Sequence, residues 1–135
     1  LGCSQITRLS QYVEKRNAIA KIYDEKLSSL PLILPQQDEN VVSSRHLYVI
    51  KLDQSKTSVN RKDAFEKMRS LGLGVNVHYI PVVMQPYYQD LGFKVSDYPC
   101  ALDYYENAIS IPLYPTMSDD DINEVIPVIP KVFDA

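Results

Sequence analysis

Residues 74–92 read GVNVHYIPVVMQPYYQDLG, and the fold turns on how the first six of them are paired. In a strand, alternate side chains point to opposite faces. Counted from Leu73, the set Leu73, Val75, Val77 and Tyr79 is expected on a core-facing side. Gly74, Asn76 and His78 fall on the other, which is polar and narrow. Pro81 and Pro86 then stiffen a loop carrying Tyr87 and Tyr88, and seven of the ten tyrosines lie between Tyr79 and Tyr114. Flat rings with polar ends suit stacking and hydrogen bonding. A rigid loop leaving a strand end beside a polar strand face is a common site geometry. The competing reading is a His78 that is exposed and idle.

Outward from this stretch the chain alternates helix and strand signals. Upstream, NRKDAFEKMRSLG reads as a short helix, with Asn60 as N-cap, Asp63 three residues on and Gly72 as the stop. Ala64, Phe65, Met68 and Leu71 form its buried stripe. HLYVIKL, from His46 to Leu52, has strand composition. The first segment predicts one helix from Ser4 to Ser29, with Ile6, Leu9, Val13, Ala20, Tyr23, Leu27 and Leu30 on a single stripe. At about 1.5 Å per residue it would run roughly 39 Å. A domain of this size has a radius of gyration of about 14 Å. Such a helix crosses the domain or projects beyond it.

Downstream, YPCALDYYENA predicts a helix with Pro99 in its first turn, and AISIPL a short strand. MSDDDINEVIPVIPKVF opens a last helix at Ser118, whose acidic first turn complements the helix dipole; Pro127 and Pro130 kink or end it. The class is α+β: a small sheet packed by helices, with a long N-terminal helix. Two segments follow, a connecting helix over 1–30 and one compact unit over 31–135.

Bulk properties narrow the functions. The chain of 135 residues is 45% apolar and 23% charged, with net charge −3. Its Lys and Arg residues are scattered, which disfavours a nucleic-acid partner. No apolar run approaches the roughly 20 residues that span a bilayer. Cys3 and Cys100 lack metal spacing and read as free thiols of a cytoplasmic protein. Two histidines supply no zinc set, and no phosphate-binding glycine motif or nucleophile elbow is present. The first methionine is Met68, so a piece of a longer polypeptide is expected. The residues alone indicate a binding wall without a catalytic centre.

Four segments, in order, resemble the DegT/DnrJ/EryC1/StrS family of sugar aminotransferases: LGCSQITRLSQYVEKRNAIAKIYDEKL, HLYVIKL, GVNVHYIPVVMQPYY and AISIPLYPTMSDDDINEVI. The resemblance implies the small C-terminal domain of an aspartate-aminotransferase-like, fold type I enzyme. It further implies pyridoxal phosphate as cofactor, glutamate as amino donor, a nucleotide-linked keto-sugar as substrate and a homodimer. HYIP and the Tyr/Pro loop point within the family to 4-amino-4,6-dideoxy sugars for bacterial surface glycans. The Schiff-base lysine and the other cofactor-holding residues of the family belong to a large domain upstream of Leu1, and none of the nine lysines here matches the catalytic one. No catalytic and no cofactor-binding residue is therefore expected in this segment. Asn76, Val77, His78 and Tyr79 match the segment that in this family lines the sugar-nucleotide pocket. Two other classes compete: a non-catalytic carbohydrate- or nucleotide-binding regulatory module, and a structural dimerisation domain built on the long helix.

Overall fold

A computed structural model describes residues 2–134; Leu1 and Ala135, the outermost positions of the two expected segments, lie outside them. The backbone is organised by a three-stranded antiparallel sheet, in the order β1 (Leu32–Ile33), β2 (Tyr48–Leu52), β3 (Ala108–Ile111). Register sets Tyr48 opposite Ile111 and Ile50 opposite Ile109. These four side chains and Leu52 are buried in one hydrophobic cluster. Val49, Lys51, Ala108 and Ser110 take the other face, as the two-residue period requires.

The helices are α1 (Gly2–Ile6), α2 (Leu9–Leu27), α3 (Arg61–Ser70), α4 (Pro86–Asp90), α5 (Pro99–Asn107) and α6 (Asp119–Val125). From α2, Ile19, Ala20, Tyr23 and Leu27 join the core, with Ala64 and Met68 of α3 and Ile122 and Val125 of α6. Local chemistry sets several ends. Asn60 accepts the Asp63 N–H at 3.0 Å at the start of α3, and Gly72 follows its end at φ +87°. Ser118 and Asp121 form a reciprocal capping box at the start of α6. Pro99 opens α5. Beyond α6 the chain tightens into a 3-10 turn at Pro130–Val132, so the two prolines end the helix.

Three expectations need correction. The single helix over 4–29 is two helices. Thr7 Oγ1 donates to the Ser4 carbonyl at 3.1 Å, the group that the Arg8 N–H would engage in a continuous helix. The Arg8 N–H goes instead to the Gln5 carbonyl at 3.0 Å, a local side-chain bond displacing a helical one. Ile6, in α1, is cut off from the stripe by this break, whereas Leu9 stays in line with Val13 on α2; the two are 68% and 51% exposed, while Val13 and Leu30 are half-buried. Leu71, expected in the stripe of α3, is exposed because the helix ends at Ser70.

The strand expected over 73–79 shrinks to one bridge, Asn76 to Ser110. Continuing that register would set Gly74 opposite Pro112 and His78 opposite Ala108. Pro112 has no N–H to donate. The Ala108 N–H is taken by the Tyr104 carbonyl in the last turn of α5. The ladder is therefore closed on both sides of its single rung. Leu73 and Val75 are still buried, Val77 is half-buried, and Tyr79, past the end of the pairing, is 89% exposed rather than core.

Candidate functional site

The site is built on the outer edge of β3. Asn76 and Ser110 exchange backbone hydrogen bonds, N–H to O=C, at 3.1 and 2.8 Å. Asn76 Oδ1 also accepts the Val77 N–H at 2.9 Å, which turns the chain away from the ladder. The bridge places Asn76 and His78 on the face of Ser110, opposite buried Leu73 and Val75. His78 Nε2 is hydrogen-bonded to Ser110 Oγ, and the imidazole is half-buried. Tyr79 stands edge-on to it, with centroids 6.0 Å apart and planes at 76°.

The four expected site residues thus divide. Asn76 and Tyr79 are exposed, His78 is anchored to the sheet, and Val77 offers only its half-buried side chain and its backbone. The Tyr/Pro loop is a separate aromatic series: Tyr87 to Tyr88 at 5.4 Å, Tyr88 to Phe93 at 5.9 Å and Phe93 to Tyr98 at 6.4 Å. No ring contact among the described residues joins that series to His78 or Tyr79. A groove of about 840 Å³ between Gly74, Pro112, Tyr114 and α6 takes in none of the four.

Charge on the same sheet face is neutralised. Lys51, half-buried, meets Asp103 of α5 at 2.5 Å, and Asn107 Nδ2 donates to the same carboxylate at 3.0 Å. The other eight lysines are all exposed. An imine-forming lysine needs a desolvated or cation-flanked amine, and these nine do not supply one. The residues of this chain accordingly do not fit a covalently held carbonyl cofactor. The arrangement presents one exposed amide, one imidazole hydrogen-bonded to Ser110 and one exposed phenol ring beside a single β-bridge.

The profile of the DegT/DnrJ/EryC1/StrS aminotransferase family matches residues 1–130. The chain belongs to this family. Among its relatives, the spore coat polysaccharide biosynthesis protein SpsC of Bacillus subtilis is 39% identical over 129 residues, covering 93% of this chain and 33% of that protein. Spr1654 of Streptococcus pneumoniae, assigned as a sugar aminotransferase and solved in a PMP-form, superposes with a TM-score of 0.86 at 27% identity, covering 98% of this chain and 33% of that one. Helicobacter pylori PseC, an aminotransferase involved in the biosynthesis of pseudoaminic acid, gives 0.86 at 25% identity, with coverage of 98% and 36%. The family likeness fixes the fold class as the small α+β domain of fold type I pyridoxal-phosphate enzymes. This DegT-family chain spans about a third of the length of the relatives it matches.

One residue of the site escaped the sequence reading. Ser110 lies in AISI, an otherwise apolar strand, and is itself buried. A lone hydroxyl inside an apolar run was the available signal, since a buried polar group needs a partner.

Proposed function

We propose that this chain serves, within a longer polypeptide, as the small C-terminal domain of a pyridoxal-phosphate-dependent aminotransferase. The whole enzyme passes an amino group from glutamate to a nucleotide-linked keto-sugar for bacterial surface-glycan biosynthesis, as a cytoplasmic homodimer. Residues 1–30 connect to the large domain, with the second half of α2 packed on the compact unit over 31–135. Exposed Ile6 and Leu9 favour a connecting role for the first part, and relatives roughly three times as long support the wider assignment. Among the described residues no helix is long and apolar enough to cross a membrane.

In this reading Asn76, Val77, His78 and Tyr79 form the substrate-side wall. The observation that carries it is the half-buried imidazole held by Ser110 on the outer sheet face, between an exposed amide and an exposed phenol ring. His78 donates to a sugar or diphosphate oxygen, Tyr79 packs on the ring or base, and the Asn76 bridge holds both on a rigid edge. The cofactor's chemistry belongs to residues outside this chain.

The test is His78→Ala in the full-length enzyme. A hydrogen bond to a charged oxygen contributes roughly 1.5–3 kcal/mol, so kcat/KM for the keto-sugar nucleotide should fall about tenfold to hundredfold. The cofactor's absorbance should be unchanged. A lowered melting temperature with unaltered kcat/KM would show that the Ser110 contact is only structural, and would refute the binding role.

A further inference from the structure

Ser110 bears on how that imidazole is presented. Its backbone is fixed on both sides, by Val49 of β2 in register and by the two exchanged bonds with Asn76. Its hydroxyl has one hydrogen-bond partner among the described residues, Nε2 of His78. A serine hydroxyl carries one hydrogen and two lone pairs, whereas a neutral imidazole has one donor and one acceptor nitrogen. If Nε2 carried the hydrogen, the Ser110 hydroxyl would accept, and its own hydrogen would be buried with no acceptor. Buried donors are rarely left that way. If the hydroxyl donates to Nε2, the buried hydroxyl hydrogen and the Nε2 lone pair are both satisfied, and the hydrogen of the neutral imidazole must sit on Nδ1 of the half-buried ring. Among the described residues nothing engages Nδ1.

We propose that Ser110 is a positioning residue: its hydroxyl donates to Nε2, fixes His78 as the Nδ1–H tautomer, and leaves Nδ1–H as the donor toward an anionic oxygen of the sugar-nucleotide ligand. The ligand part rests on the reading of residues 76–79 as the substrate wall. The tautomer part stands on the hydrogen bonds alone, because the bond made by one ring nitrogen sets the state of the other.

The experiment uses the full-length enzyme labelled with ¹⁵N-histidine, without substrate, at mildly alkaline pH. The His78 signals are assigned by their loss in His78→Gln. Nitrogen shifts should report hydrogen on Nδ1 in the wild type. In Ser110→Ala the tautomer ratio should move toward Nε2–H by about tenfold, the equivalent of one hydrogen bond of about 1.4 kcal/mol. Ser110→Thr keeps a hydroxyl and should restore the wild-type ratio, separating the role of the donor from general damage to the strand. With the keto-sugar nucleotide, Ser110→Ala should raise KM several-fold and Ser110→Thr much less. Hydrogen on Nε2 in the wild type, or an unchanged ratio in Ser110→Ala, overturns the proposal. A shifted ratio in Ser110→Ala together with unaltered kcat/KM in His78→Ala upholds the tautomer lock and overturns the ligand contact.

Discussion

Replacing Tyr23 by Phe tests how the core holds the strand that carries Ser110. Tyr23 is fully buried in α2, and its hydroxyl donates at 2.9 Å to the carbonyl of Pro112, immediately after β3. That carbonyl has no other hydrogen bond among the described residues. Tyr23→Phe keeps the ring and removes the donor. The loss should be about 1–2 kcal/mol, one net hydrogen bond plus part of the cost of an unsatisfied acceptor. Tyr23→Ala also empties the space of the ring, which stands edge-on to Tyr48 with centroids 5.1 Å apart. It should cost about 3–5 kcal/mol, a large share of the roughly 5–15 kcal/mol that stabilises a domain. Urea unfolding followed by circular dichroism gives both numbers, provided the m-value is unchanged. Burial, with Tyr114 nearby, holds the Tyr23 phenol well above the ordinary tyrosine range. Its contribution is therefore complete below about pH 10 and declines only as strong alkali ionises it. A Tyr23→Phe variant within about 0.3 kcal/mol of wild type would refute the tether between α2 and the end of β3.

Removing the α6 cap with Ser118→Ala should destabilise the chain by about 1 kcal/mol in the same unfolding assay, through loss of the hydroxyl half of the capping box, while the backbone N–H of residue 118 still donates to the Asp121 carboxylate. Gly72→Ala should cost about 1–2 kcal/mol despite open space around a new Cβ, because φ there is +87°. Asp53 is held at about 2, against an ordinary 3.8, chiefly by the hydroxyl of Ser55 and then by Lys56. Its contribution is present above about pH 4 and lost as pH falls toward 2. Asp53→Asn should flatten that part of an acid-stability curve, and an unchanged curve would count against the assignment.

Legibility followed the range of the forces involved. The Asn60 and Ser118 caps and the Gly72 stop could be read directly, since each is decided within about four residues. The order of the main elements was also readable. β1 was not: two residues between Pro31 and Pro35 carry no periodicity, and Leu32 and Ile33 pair only because Leu52 and Lys51 lie beside them. The break at Thr7 was hidden because Thr is compatible with a helix until its hydroxyl takes the Ser4 carbonyl. The face of Asn76 and His78 followed from alternation, whereas Tyr79 did not. The ladder ends for reasons far away in the chain, at Ala108 opposite His78 and at Pro112 opposite Gly74. Ser110 was missed on the same ground, its partner being 32 residues distant.

The closure of the ladder around Asn76 has a bearing on solubility. An exposed strand edge invites pairing with a second molecule and growth into aggregates. Here the outer side of β3 offers one rung, already filled, between a proline without an N–H and an amide committed to a helix end. The opposite edge, β1, is two residues long and lies between Pro31 and Pro35. Neither border gives an incoming strand enough consecutive free groups to lengthen. Substituting Pro112 by a residue with a free N–H would set that group opposite Gly74 of the same chain, so the bridge should gain a second rung within the molecule, and light scattering should stay independent of concentration.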